Sequence, residues 1–257
     1  MRDLVDVEAL RGSRVLVLGC GGVGSLVADF LVRCAVGGFS LWDCDRADLS
    51  NLGRSIYTIH DWKRLKALAL EEHLKAANPL VRTVAFEGDL LTCPASMLVK
   101  LARQHQVALV AADDFRVHER INAELHSIIP LVFGFVLNNG NGGEILRTDP
   151  REPGCLRCLT NFEERRRART SADFQSLGLG FLRVAVEAAA VVLGILLRGR
   201  KGGDLFHAYV ESTGHLFVLV SQQSDGLAET LPAGFLSGVI RVFTTDVDRS
   251  CSICNKI

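Results

Sequence analysis

Residues 14–24 read Arg-Val-Leu-Val-Leu-Gly-Cys-Gly-Gly-Val-Gly, and this stretch constrains the fold more than any other part of the chain. Val15 to Leu18 is a short, unbroken apolar run ending in glycine, the pattern of a strand buried on both faces of a parallel sheet. A helical pattern follows at once, from Val23 to about Arg33. Between them, Gly19, Gly21, Gly22 and Gly24 punctuate the turn. Glycines there let the backbone turn tightly and approach a phosphate, and the next helix supplies unpaired N–H groups at its positive end.

The alternation continues through the first half. Gly38–Asp43 reads as a second strand, Trp62–Ala77 as a helix stopped by Asn78-Pro79, Val81–Phe86 as a third strand and Val107–Ala112 as a fourth. A helix through Ile128 and a fifth strand from Pro130 to Leu137 complete it. Such β-α-β alternation predicts an α/β fold with a doubly wound, Rossmann-like, mostly parallel sheet. The second half departs from it. Residues 138–143 are turn-rich, Asn161–Ser176 reads as a polar crossover loop, and Leu205–Val210 and Leu216–Val220 read as short strands of a C-terminal antiparallel extension. The most apolar stretch, Leu177–Leu197, is interrupted by Arg183 and Glu187. A membrane span needs about 20 mostly apolar residues, so a buried core helix is expected.

Composition narrows the function classes. Lysine plus arginine balances aspartate plus glutamate at 29 each in 257 residues, which leaves no global electrostatic footprint for nucleic acid or an anionic membrane. Met1-Arg2-Asp3-Leu4 carries no apolar signal region, so a cytoplasmic location is expected.

Asp43 ends the second strand, where an acid commonly takes ribose hydroxyls. The loop and this acid alone leave NAD and ATP both open, and an NAD(P) oxidoreductase is the direct competitor. Three further features favour ATP. Asp43-Cys44-Asp45 runs into Asp48-Leu49-Ser50-Asn51-Leu52-Gly53-Arg54, Lys66 follows, and Asp113 and Asp114 stand at the C-terminal end of the fourth strand. Arg54 and Lys66 supply two cations for a triphosphate, and Asp113 a carboxylate of the kind Mg²⁺ prefers. Cys155/Cys158 and Cys251/Cys254 form two CxxC pairs, the four thiolates of a tetrahedral zinc site that would tie the C-terminus to the middle of the chain. Cys20, Cys34, Cys44 and Cys93 read as small buried packing residues.

In this order, the glycine loop, the Asp-x-Asp…Asn-x-x-Arg stretch, Lys66, the Asn-Pro, Asp113 with Ile121-Asn122 downstream and the two CxxC pairs resemble the ThiF/MoeB/HesA family, bacterial relatives of ubiquitin-activating enzymes. The resemblance implies one adenylation domain over residues 1–257, with a nucleotide-binding half (1–137) and a zinc-tied substrate and dimer half (138–257). It implies that Gly19, Gly21, Gly22, Gly24, Asp43 and Asp45 bind ATP, that Asn51, Arg54 and Lys66 hold its phosphates, and that Asp113 binds Mg²⁺. The substrate would be the C-terminal carboxylate of a ubiquitin-like protein or peptide. The assembly would be a homodimer or a heteromer, and a non-catalytic scaffold subunit is the alternative outside enzymology. Four departures stand out. Gly53 and Ser55 replace glutamines around Arg54. Asp114 and His118 replace asparagine and arginine, with Asp114 placed to alter metal binding and His118 expected on a helix surface. No cysteine lies between Cys158 and Cys251 to carry a thioester. Only Arg2 and Arg11 precede the first strand as donors to a neighbouring subunit's ATP.

Overall fold

A computed structural model describes residues 4–137, 142–159, 178–210, 214–219, 238–242 and 251–254. Helix α1 (Val7–Gly12) leads into β1 (Arg14–Leu18), α2 (Gly22–Arg33) and β2 (Gly38–Asp43). Then come α3 (Lys66–Ala77), β3 (Arg82–Glu87), α4 (Ala95–Ala102), β4 (Val107–Val110), α5 (Phe115–Leu125), β5 (Leu131–Leu137) and β6 (Gly142–Thr148). A short α6 (Leu156–Leu159), the long α7 (Gly178–Leu196), α8 (His207–Val210), β7 (Gly214–Leu219) and β8 (Gly238–Val242) follow.

Among the described residues the strands form one eight-stranded sheet of order β3-β2-β1-β4-β5-β6-β7-β8. The first five are parallel, and β6, β7 and β8 add antiparallel. The parallel order turns back at β1, so the cleft between β1 and β4 opens at the C-terminal ends of both, where ligands bind in open α/β sheets. Alternation along β1 divides the core. Val15 and Val17 face α2, α3 and α7, while Leu16 and Leu18 face α4 and α5.

Helix α7 is the expected apolar helix. It is long and apolar enough to cross a membrane by composition, but 67% of its most apolar window is buried inside the protein. Val184, Ala185, Ala188 and Val192 pack into the core cluster that also holds α2. Gly143 is part of that fit, because a Cβ there would stand 2.0 Å from Val184 Cγ2.

Several boundaries differ from the sequence reading. The helix expected from Trp62 begins at Lys66. Lys63 has φ +64°, and Lys63 and Arg64 exchange backbone hydrogen bonds with Ala47, both 2.8 Å, so a helical start is not available there. The fourth strand ends at Val110, and Ala111 and Ala112 turn into the cleft. Gly142 and Gly143, expected in a turn, open β6. Leu205–Val210, expected as a strand, is helical: Gly202 at φ +84° starts a 3₁₀ turn, Gly203–Phe206, and α8 follows. Its end is fixed by Val210, which is buried and would touch any Cβ at Gly194. Helices α1 and α4 have no counterpart in the sequence reading. The expected crossover loop, Asn161–Ser176, lies outside the described residues, as does Arg2. Arg11 lies in the last turn of α1, pairs with Glu8 at 2.5 Å and sits at the N-terminal end of β1, opposite the cleft.

Candidate nucleotide-binding site

At the C-terminal ends of β1, β2, β4 and β5 lies a cleft of about 440 Å³. Gly19, Gly21, Gly22, Asp43, Asp45, Asn51, Arg54, Lys66 and Asp113, all singled out in the sequence, line it. Gly24 does not. A Cβ at Gly24 would stand 1.9 Å from the Gly19 carbonyl oxygen, so this glycine closes the loop onto α2 instead of facing a ligand. Gly19 has φ +98°, and a Cβ there would strike the Ala112 nitrogen at 2.6 Å. Gly21 is the opposite case: nothing lies within 4 Å of a Cβ built on it. Its open space lies at the start of α2, where backbone N–H groups point at an anion.

Asp43 is buried at the floor of the cleft. Its Oδ2 accepts the Cys20 N–H at 2.6 Å and its Oδ1 the Asp45 N–H at 2.7 Å, so the carboxylate shapes the glycine loop itself. Burial pushes its carboxyl above the usual range, with the Lys66 charge and the two N–H groups opposing. The Lys66 ammonium donates to Asp45 Oδ2 at 2.7 Å. Burial alone would lower its pKa, but Asp43, Asp45 and Asp113 hold it above its ordinary value, so Lys66 stays a cation.

Asn51 and Arg54 come from a 3₁₀ helix, Leu49–Arg54, that closes one wall. Asp48 caps it, and Asn51 Oδ1 accepts the Asp48 N–H at 3.0 Å. The Arg54 guanidinium stands 5.6 Å from the Phe181 ring centroid, a cation–π contact that brings the first turns of α7 to the glycine loop. A Cβ at Gly22 would strike that ring at 2.4 Å.

Asp114 lines the cleft as expected, and it also caps α5 by accepting the Arg116 N–H and pairs with the Arg116 guanidinium at 2.5 Å. Several residues stand where the sequence reading did not place them. His118, expected on a helix surface, is fully buried. Its Nε2 lies 2.7 Å from the Ala112 carbonyl and its ring stacks on Phe135 with centroids 4.4 Å apart. A histidine can do this where an arginine's charge would need water or a counterion. Cys44 is exposed, not buried, and Cys34 is half-buried, whereas Cys20 and Cys93 are buried as expected. Asp89, Leu90, Arg116 and Phe181 also line the cleft and were missed. Asp89 follows β3 as Asp113 follows β4, so the strand-end rule could have found it. Phe181 carried no sequence signal.

The four cysteines of the CxxC pairs converge at the other end of the sheet, beyond β6. Their sulfurs all lie within 4.8 Å of one another, with Cys155–Cys251 at 3.7 Å, Cys158–Cys254 at 3.6 Å and Cys155–Cys158 at 4.0 Å. Zn–S bonds of about 2.3 Å in a tetrahedron demand S···S edges of about 3.8 Å, so the donor set fits zinc. Burial alone would raise the Cys251 thiol, yet N–H groups of Cys254 and Ile253 and the neighbouring thiols bring it below its ordinary value.

Residues 3–230 match the ThiF family. The chain belongs to that family. It is 32% identical to the Escherichia coli K12 sulfur carrier protein ThiS adenylyltransferase, over 73% of this chain and 75% of the relative. It is 35% identical to the sulfur carrier protein adenylyltransferase of Thermus thermophilus, over 50% of this chain and 47% of the relative, so it spans about half that relative's length. The crystal structure of E. coli MccB with ATP shares the fold, with TM-score 0.74 at 17% identity over 96% of this chain and 68% of that one. These two relatives are named adenylyltransferases.

Proposed function

We propose that this protein is an ATP-dependent adenylyltransferase that activates the C-terminal carboxylate of a ubiquitin-like protein or a peptide. The observation that carries the reading is the convergence of Arg54, Lys66 and Asp113 with the open face of Gly21 in one cleft. A dinucleotide dehydrogenase needs the loop and Asp43, but has no use for two cations and a further strand-end carboxylate beside them.

In the proposed reaction a carboxylate oxygen attacks the α-phosphorus of ATP. The bond between the α-phosphorus and the bridging oxygen breaks, and its electron pair leaves with pyrophosphate. The acyl adenylate remains. Gly21 and the start of α2 receive phosphate oxygens, and Asp43 and Asp45 take the ribose side. Lys66, Arg54 and Asn51 neutralise and orient the phosphates as charge spreads over them. Asp113 has the position and donor chemistry to hold Mg²⁺, which when bound would offset phosphate charge. Zinc at Cys155, Cys158, Cys251 and Cys254 would be structural. Residues 1–257 act as one adenylation unit, as a homodimer or within a heteromer, in the cytoplasm. No thioester forms on this chain, because no cysteine lies between Cys158 and Cys251, and the thiols near the cleft are held above their ordinary value, Cys20 by burial and Asp43, Cys44 by desolvation and the neighbouring carboxylates of Asp45, Asp43 and Asp89.

ATP–pyrophosphate exchange, screened with small proteins ending in Gly-Gly and with short peptides, tests the reading. Asp113→Ala is expected to lower exchange by about 10²-fold or more. Exchange by Asp113→Ala at the wild-type rate removes that residue from the reaction. ATP binding with no exchange for any carboxylate favours a scaffold subunit, and NADH binding without ATP binding favours an oxidoreductase.

A further inference from the structure

The phosphate-facing parts of the cleft come from three separate segments: the glycine loop, the 3₁₀ helix carrying Asn51 and Arg54, and the first turn of α3 carrying Lys66. Strand β2 and the residues just past it hold two of them, the Gly19 N–H donating to the Trp42 carbonyl and the Lys66 N–H to the Asp45 carbonyl, both at 2.9 Å. One buried residue joins all three: its side chain reaches the glycine loop and the first turn of α3, and its backbone N–H reaches the 3₁₀ helix through Ser55. Tyr57 is 3% exposed, and its hydroxyl lies 2.6 Å from the Cys20 carbonyl oxygen and 3.1 Å from the Lys66 carbonyl oxygen. The phenol has one proton to give, so it is drawn between two carbonyls, with Cys20 the nearer acceptor. On its backbone side, the Tyr57 N–H donates to Ser55 Oγ at 3.4 Å, and the Ser55 hydroxyl donates to the Asn51 carbonyl at 2.7 Å. The ring is held in turn. His73 meets it edge-on at 6.3 Å between centroids, and Asp61 fixes His73 at 2.8 Å.

We propose that Tyr57 is a positioning residue that sets the spacing of the glycine loop, the Asn51–Arg54 wall and Lys66 to that of a polyphosphate chain. Burial and the nearby acidic groups raise the phenol well above its ordinary pKa, so it remains a donor at every working pH. With the Cys20 carbonyl turned to Tyr57, the Gly21 N–H of the same trans peptide points the opposite way. At Lys66 the same anchor fixes the helix turn from which the ammonium reaches across to Asp45. The inference rests on the ATP reading above, because only a ligand with a run of phosphates feels the relative position of all three segments.

The test compares binding of ATP, ADP and adenosine to wild-type protein and Tyr57→Phe by calorimetric titration. Phenylalanine keeps the ring and its packing and removes only the hydroxyl. ATP affinity is expected to fall about 10-fold or more in the variant, ADP less, and adenosine not at all, since displacement by a fraction of an ångström is costly where several groups act together. Zinc content and thermal midpoint are read on the same samples. Equal ATP affinity in wild type and Tyr57→Phe overturns the inference, and so does an equal loss for ATP and adenosine, which marks a general packing defect. Tyr57→Leu separates ring from hydroxyl: if Leu weakens ATP binding and Phe does not, the ring alone matters and the proposal is wrong. A wild-type protein that binds no ATP overturns the adenylation reading itself, before the variant is compared.

Discussion

The Leu156 backbone N–H donates to Asn122 Oδ1 at 2.9 Å, across 34 residues of sequence and inside the core. Leu156 stands between Cys155 and Cys158, and Asn122 is a fully buried residue of α5. The same helix carries Asp114 at its N-cap, His118 on the Ala112 carbonyl, and Arg120, which grips the carbonyls of Leu90 and Cys93 in the loop after β3. One helix therefore joins the cysteine cluster to two walls of the cleft.

Replacing Asn122 by Leu takes the Oδ1 acceptor away from the buried Leu156 N–H. A loss of about 1–3 kcal/mol in unfolding free energy is expected, from urea denaturation followed by circular dichroism. Because that N–H lies inside the first CxxC pair, the variant is also expected to lose zinc to a chelator faster than wild type. Unchanged stability and unchanged metal release would show that the hydrogen bond has no structural weight.

Metal analysis of freshly purified protein is expected to give one Zn²⁺ per chain, bound at the single four-cysteine cluster among the described residues. Cys155→Ser or Cys251→Ser should lower the thermal midpoint and the zinc content together, since metal binding and folding are coupled there. A metal-free preparation with wild-type stability would dismiss the zinc site.

Acid sensitivity is expected from Asp149, just past β6. Burial would raise its carboxyl, but Arg151 and Arg198 override this and hold it well below the usual carboxylate range. A depressed folded-state pKa contributes stability that is complete above the unfolded value of about 4, and is lost as pH falls from there toward the folded value. Thermal midpoints measured from pH 7 down to pH 3 should fall below about pH 4, and Asp149→Asn should flatten that dependence. At pH 7 the Asn variant removes one counter-charge from buried Arg147 and from Arg198, which both keep Glu152, and about 1–3 kcal/mol should be lost. A variant with the wild-type pH profile would assign the acid loss to other carboxylates.

Much of this architecture is local and therefore written in the chain. The strand–glycine–helix opening depends on φ freedom at Gly19 and on contact distances at Gly24, which are properties of neighbouring residues. The β-α-β order then leaves few topologies, and strand ends bring Asp43 and Asp113 to one edge. The CxxC spacing marks metal ligands because two thiolates three residues apart reach one ion. What no local pattern could decide is which face a residue presents once helices pack. His118 looks like a surface histidine on α5, and only the closure of β5 against that helix buries it between phenylalanines. Phe181 reads as one apolar residue among many in α7, and only the return of α7 to α2 sets it beneath Arg54. Leu205–Val210 is apolar enough for a strand, but the left-handed turn at Gly202 and the packing of Val210 against α7 make it helical. Tyr57 shows the same limit most clearly, since its two carbonyl partners lie 37 and 9 residues away and meet only when the sheet is complete.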